Sequence, residues 1–260
     1  MSKIKVDTIE GSTGTTITVP SGQTLTVTDG IAATNLSGTI ADARLPTVPV
    51  AKGGTGLTSL GSAGQAIKVN SGGNGLEFGT ISSDFVKLQG GGSNSAVSSV
   101  VFDNLDVSTY ASFKLIWNSV PSGDNEHLRM TIRTGGSSGA THTTSHYHSA
   151  QIMVTGSSGS IATAHESGTA YWEIGGNAGN QTTEGHDFEI FLYPRKSTHE
   201  SGHGNFFTAS GSRIDSSGNY RYIGSSGTLR TSSQPTTTGY SIFYTGGNIA
   251  QYDYELYGIK

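Results

Sequence analysis

FKLIWN, residues 113–118, sets Phe113, Leu115 and Trp117 at every second position, with Lys114, Ile116 and Asn118 between them. Side chains alternate across a strand and recur about every 3.6 residues on a helix, so this period predicts a strand with one buried face. The same period returns outward along the chain. Leu128, Met130 and Ile132 alternate with Arg129, Thr131 and Arg133. Phe188, Ile190 and Leu192 alternate with Asp187, Glu189 and Phe191, and Tyr240-Ile242-Tyr244 and Tyr252-Tyr254-Leu256 repeat the theme. Each run is bounded by Gly, Ser, Asn or Pro, as strands are. About eight to ten such runs over roughly 160 residues suit a β-sandwich of jelly-roll type. No amphipathic helix of about ten residues is legible. The fold class expected is all-β.

Composition divides the chain in two. All 22 aromatic residues lie from Phe78 onward and all eight histidines from His127 onward. Aromatic side chains dominate core burial, so residues 1–77 are expected to be thin and residues 78–260 to hold the globular part. Residues 1–77 carry five basic and five acidic residues, so the whole net charge of −4 comes from the rest. That balance argues against a nucleic-acid surface, which needs a basic stripe. There is no cysteine, hence no disulfide framework and no thiolate metal site. No apolar run approaches 18 residues, so no membrane insertion is expected. MSKIKVDTIEG at the N-terminus lacks the pattern of a signal peptide.

Within the thin part, Gly14, Gly22, Gly30 and Gly38 are spaced by eight and Pro46 takes the next place. Ile17-Thr18-Val19 recurs eight residues on as Leu25-Thr26-Val27. Repeated short strands that cannot bury a face alone point to stacking or to wrapping with identical copies. Three chains around one axis would bury Ile17, Val19, Leu25 and Val27 together, with Ile40 and Leu45 continuing that core. The bland alternative is a flexible Thr/Gly linker.

SGTIADARLPTVPVAKGGTG, residues 37–56, has no aromatic residue and no helical period. Its G-T-I-x-x-A-R-L-P and V-x-K-G-G-T-G elements resemble the shaft motif of tailed-bacteriophage tail fibres. Gly64–Asn70 and Gly75–Gly79 are similar to the segment that trails this motif. The resemblance spans about residues 37–79. It implies an elongated, homotrimeric virion protein, made in host cytoplasm. The expected organisation is a virion-proximal β-repeat segment (1–36), a β-rich trimeric shaft (37–79), a neck (80–98) and a β-sandwich head (99–260). Gly90-Gly91-Gly92 in the neck reads as a boundary with little fixed structure, and Phe85, Val86 and Leu88 could seal the trimer there. The partners implied are further copies of the chain, a tail or baseplate protein at the N-terminus, and a host surface glycan or protein at the head.

Candidate site residues lie in the head. THTTSHYH, residues 141–148, holds His142, His146, Tyr147 and His148. On a strand His146 and His148 share a face. On a threefold axis that pair would be repeated three times, a nitrogen site suited to a transition metal. Metal-binding G-x-H-x-H repeats occur in some phage fibre tips. Here Ser145 stands at the glycine position and the motif is single, so a polar exposed edge is the bland reading and no cofactor is expected. His199 and His203 are four apart, but Gly202 and Gly204 make a helix unsuitable and a loop is expected. Tyr171-Trp172 and Tyr220-Arg221-Tyr222 pair flat rings with hydrogen-bonding neighbours, as sugar faces require. For Trp117 and Trp172 the alternation favours packing. For Tyr147, Tyr220 and Tyr222, packing and exposure both remain open. The function expected is attachment to the host cell surface through the head, with no catalysis. The alternatives are a structural baseplate or collar component without its own receptor, and a polysaccharide depolymerase with a carboxylate pair.

Overall fold

The computed structural model describes residues 21–24, 26, 54–195, 204–231 and 234–260. The proposed shaft core, Ile17, Val19, Leu25, Val27, Ile40 and Leu45, lies outside them, as do His199 and His203. The chain divides into two units, Met1–Ile81 and Ser82–Lys260.

In the first unit β1 (Gln65–Val69) pairs antiparallel with β2 (Leu76–Thr80), Val69 opposite Leu76. The two segments that resemble the trailing part of the shaft motif are the arms of this hairpin. Lys68 Nζ reaches Glu77 Oε1 at 3.1 Å across the pair. Leu60, Ile67 and Val69 stay exposed, and so a two-stranded hairpin has little of its own to bury them against.

The second unit holds β3 (Phe85–Ser93), β4 (Val100–Phe102), β5 (Ser112–Pro121), β6 (Glu126–Thr134), β7 (Ala140–Thr141), β8 (Tyr147–Thr155) and β9 (Ile161–Thr169). It continues through β10 (Trp172–Ala178), β11 (Gly185–Tyr193), β12 (Phe206–Ile214), β13 (Tyr220–Leu229), β14 (Gly239–Tyr244) and β15 (Ile249–Ile259). All pairing is antiparallel, as the alternating runs predicted, and no described residue lies in an α-helix. One sheet runs β10-β6-β14-β4, with β7 beside β6. The other runs β3-β15-β5-β11-β12-β13-β8-β9.

The two sheets share one core. Phe113, Leu115, Trp117, Phe188, Ile190 and Leu192 come from the larger sheet and Leu128, Met130, Ile132, Trp172, Tyr240 and Ile242 from the smaller, and all are buried. Every run read as apolar alternation therefore points its apolar set inward. Edge-to-face contacts tie the layers: Trp172 lies 5.1 Å from Tyr147, and Phe102 lies 4.9 Å from Tyr254. Edge strand β10 meets β8, where Ser149 Oγ accepts from Glu173 N at 3.1 Å and Gln151 Nε2 donates to Glu173 O at 3.3 Å. Side chains of one sheet thus satisfy edge groups of the other, closing an edge otherwise open to pairing.

One reading of the neck needs correction. Gly90, Gly91 and Gly92 are not a structureless boundary; they lie inside β3, opposite Glu255, Tyr254 and Asp253. A ladder needs no side chain, and at Gly92 one would not fit: a Cβ there would stand 2.8 Å from Tyr252 O. Leu88 packs against the sandwich core of its own chain, while Phe85 is half exposed.

β3 begins where Phe85 pairs with Ile259, and Lys260 N donates to Asp84 O at 3.0 Å. The chain thus enters the sandwich at the end that holds Ser112 and Ile259. Turns 122–125, 179–184, 215–219 and 245–248 gather at the opposite end. They interlock through Asn177 Nδ2 to Asn125 Oδ1 at 3.1 Å and Asn180 N to Asp124 Oδ1 at 3.1 Å.

Candidate functional site: the outer face and far end of the sandwich

β13 pairs β8 from Arg221 opposite Thr155 to Thr228 opposite His148 and Leu229 opposite Tyr147. Eight residues separate Tyr220 from Thr228, which at about 3.3 Å each is ~26 Å. The two predicted clusters therefore occupy opposite ends of the sandwich and form no common site. The histidine cluster lies at the end where the chain enters, and the tyrosine pair lies at the far end.

Tyr147 is withdrawn as a surface contact. It is fully buried, its ring packed against Trp172. Its hydroxyl donates to His142 O at 2.7 Å and accepts from Ile132 N at 3.2 Å. Tyr147→Phe would orphan Ile132 N–H and His142 O, so a loss of about 1–2 kcal/mol in urea unfolding is expected. His142 is half-buried, with Nε2 2.8 Å from Thr144 Oγ1. Burial, with His146 nearby, holds its imidazole below the ordinary value.

His146 lies exposed in the turn before β8, and its carbonyl accepts from Arg230 N at 2.8 Å. His148 lies on the outer face, its Nδ1 3.0 Å from Ser167 Oγ. Among the described residues no three His, Asp or Glu side chains gather to hold a metal ion. A site shared on a threefold axis would be built from several copies.

Tyr220, Arg221 and Tyr222 sit on a strand, so they alternate. Tyr220 and Tyr222 face outward at 50% and 45% exposure. Arg221 turns to the other side, where its Nε lies 3.7 Å from Asp215 Oδ2. It thereby leaves the face of the two rings for an ion pair on the opposite side of the strand, with 28% of its side chain still exposed. Its cross-strand partner Arg213 is buried, donates to Asn177 Oδ1 and has its pKa lowered to about 10, chiefly by burial and then by Arg221. Tyr171 is also engaged: the Arg129 guanidinium stacks over its ring at 3.7 Å.

Two concavities open on the larger sheet. A groove of about 810 Å³ lies near His148, Tyr193, Phe206, Thr208, Ser226 and Thr228, at the end where the chain enters. A smaller cavity of about 400 Å³ lies toward the far end, bordered by Asn118, Thr182, Glu184, Asp187, Tyr220 and Gln251. The first has aromatic walls over a floor of small residues. The second offers amides, hydroxyls, carboxylates and the rings of Tyr220 and His186, and Asn118 Nδ2 donates to Asp187 Oδ1. Sequence reasoning missed Asn118, Asp187 and Gln251, which are neighbours only through the β15-β5-β11 register. Comparison with family models, with curated proteins and with solved structures finds no match.

Proposed function

We propose that the chain is a homotrimeric tail fibre of a tailed phage that attaches the virion to the host cell surface through its C-terminal sandwich. The observation that carries this reading is the polarity of the sandwich. The chain enters at one end, and interlocked turns with a polar cavity and the outward ring of Tyr220 lie at the other. A receptor-binding head needs its contact surface at the end away from its stalk. Loops on a rigid scaffold can vary without disturbing the core. The shaft-like motif at 37–56 supplies the stalk in this reading, and the N-terminal segment docks on a tail or baseplate protein. The bare Leu60, Ile67 and Val69 of the hairpin unit support wrapping by further copies. Binding, with no catalysis, is the activity proposed. Three heads per fibre would turn weak contacts into firm attachment through effective concentration.

The strand order supports a jelly-roll connectivity for the head. β4-β14-β6-β10 follows one four-stranded half of such a fold. β5-β11 and β8-β9 follow the other half, with hairpin β12–β13 inserted between them and with β15 and β3 added beyond β5.

Light scattering on the full chain should give about three times the 26.9 kDa monomer mass. The same preparation should compete with virions for adsorption to susceptible cells. A folded monomer would overturn the shaft. A trimer that binds no cells and is captured by the baseplate would establish the structural alternative, and new reducing ends from host polysaccharide would establish the depolymerase.

A further inference from the structure

We propose that Asn74 is a site of self-modification, at which Gly75 N attacks the Asn74 side-chain amide with Asn70 assisting, so that the residue converts to aspartate and isoaspartate. Asn74-Gly75 is the one Asn-Gly pair in the 260 residues. It sits in the turn between β1 and β2, and Asn74 is exposed. Three backbone amides of this turn are occupied. Asn70 N donates to Gly75 O at 2.9 Å, Gly73 N to Asn70 O at 3.0 Å, and Asn74 N to Asn70 Oδ1 at 3.2 Å. Gly75 N has no acceptor among the described residues. Gly75 N, the amide that must act as nucleophile, is thus not tied up in the turn's own hydrogen bonds, and glycine places no Cβ beside it.

The electrophile is prepared as well. Asn70 Nδ2 donates to Asn74 Oδ1 at 3.0 Å. Negative charge gathers on that oxygen when a nucleophile adds to Cγ, and a donor already aimed at it lowers the barrier. Holding both groups in one tight turn makes the step intramolecular.

The chemistry balances with water alone. Gly75 N gives up its proton to solvent base and bonds to Asn74 Cγ. The Cγ–Nδ2 bond breaks and ammonia leaves with the proton, closing a five-membered succinimide. Water then opens the ring at either carbonyl. One opening leaves aspartate with the original backbone; the other leaves isoaspartate, whose backbone is one carbon longer. No electron is gained or lost. Either product adds a negative charge to the turn between β1 and β2. The longer backbone also displaces the Asn70 N to Gly75 O closure that sets Val69 opposite Leu76.

The test is to hold the full chain at mildly alkaline pH and 37 °C, digest it with trypsin and follow the peptide of residues 69–87 by mass spectrometry. Fragmentation should place a gain of about one dalton, the change of amide to acid, on residue 74, with two chromatographic products. Asn70→Ala should slow the gain several-fold, and Asn74→Gln should abolish it. Retention of the Asn74 amide while exposed Asn94, followed by Ser95, loses its own would overturn the site. An unchanged rate in Asn70→Ala would overturn the assisting role of Asn70.

Discussion

Trp172→Ala should destabilise the sandwich by about 3–5 kcal/mol, a large part of the 5–15 kcal/mol that holds a domain together. Trp172 is fully buried at the start of β10 and links three elements. Its ring lies 5.1 Å from Tyr147 on β8 and 5.3 Å from Phe207 on β12. It also covers Gly227 on β13, where a Cβ would stand 2.8 Å from Trp172 Cδ1. Alanine would leave a cavity between sheets whose backbones are held by ladders on both sides, so the walls cannot collapse into it. Trp172→Phe separates packing from polarity. The indole Nε1 is buried with no hydrogen-bond partner, and an unpaired buried donor costs about 1–3 kcal/mol. Phenylalanine loses ring volume but also removes that donor. The Phe variant should therefore retain well over half of the stability that the Ala variant loses. Urea unfolding of the full chain, read by tryptophan fluorescence from Trp117 and by far-ultraviolet circular dichroism, checks both. Equal losses in the two variants would show that the orphan donor carries no penalty.

Acid should weaken the sandwich from pH 6.5 downward, and His186 is the group responsible. A directed chain of hydrogen bonds runs through the interior. Trp117 Nε1 donates to Ser119 Oγ at 2.8 Å, and Ser119 Oγ lies 2.8 Å from the Tyr244 hydroxyl. That hydroxyl lies 3.0 Å from His186 Nδ1, and His186 Nε2 lies 2.8 Å from Gly176 O. The carbonyl can only accept, so Nε2 carries the proton and Nδ1 receives one from Tyr244. A second proton on the ring would oppose Tyr244 O–H and place a charge in the core. Burial accordingly pushes the imidazole down to about 3 from its ordinary 6.5, with the hydrogen bond to Gly176 O acting the other way.

The unfolded chain thus binds more protons than the folded one between these values, so stability is full above pH 6.5 and falls as pH drops toward 3. The slope is about 1.4 kcal/mol per pH unit, or roughly 2–3 kcal/mol between pH 6.5 and 4.5. Asp106, held down to about 2 by hydrogen bonds from Ser108 and Thr109, titrates below this window. His186→Gln can keep a donor and an acceptor without a titratable ring. It should lose about 1–2 kcal/mol at neutral pH from imperfect geometry and flatten the dependence above pH 4.5. His142 shifts in the same direction, so His142→Gln is the control that apportions the slope. Urea midpoints at pH 7.5 and 4.5 decide the matter: a His186→Gln variant that keeps the full acid loss refutes the assignment.

Much of the core was readable one strand at a time. Alternation is a local property, and Phe113, Leu115, Trp117, Leu128, Met130 and Ile132 declare their buried face without reference to any partner. The all-β class follows from the same property, and so does the packing of Trp117 and Trp172. β8, β9, β12 and β13 were less legible because their inward positions are not uniformly apolar. On β8 the inward set is Tyr147, Ser149 and Gln151. Its polarity makes sense only once edge strand β10 brings Glu173 against it. No local pattern separates such a face from an exposed one, so Tyr147 could be assigned to neither side.

Position in space was decided elsewhere. Arg221 looks like a surface neighbour of Tyr220 and Tyr222 until β13 is known to be a strand, whereupon alternation sends it inward to Asp215. Asn118, Asp187 and Gln251 border one cavity although they are distant in the chain. β4 finds its sheet only beside β14, more than a hundred residues on. A side chain's period is carried by its own backbone. Its neighbours across a sheet are set by pairing between distant segments, whose register depends on burying every strand's inner face at once. That condition belongs to the assembled sandwich, and no single stretch of sequence contains it.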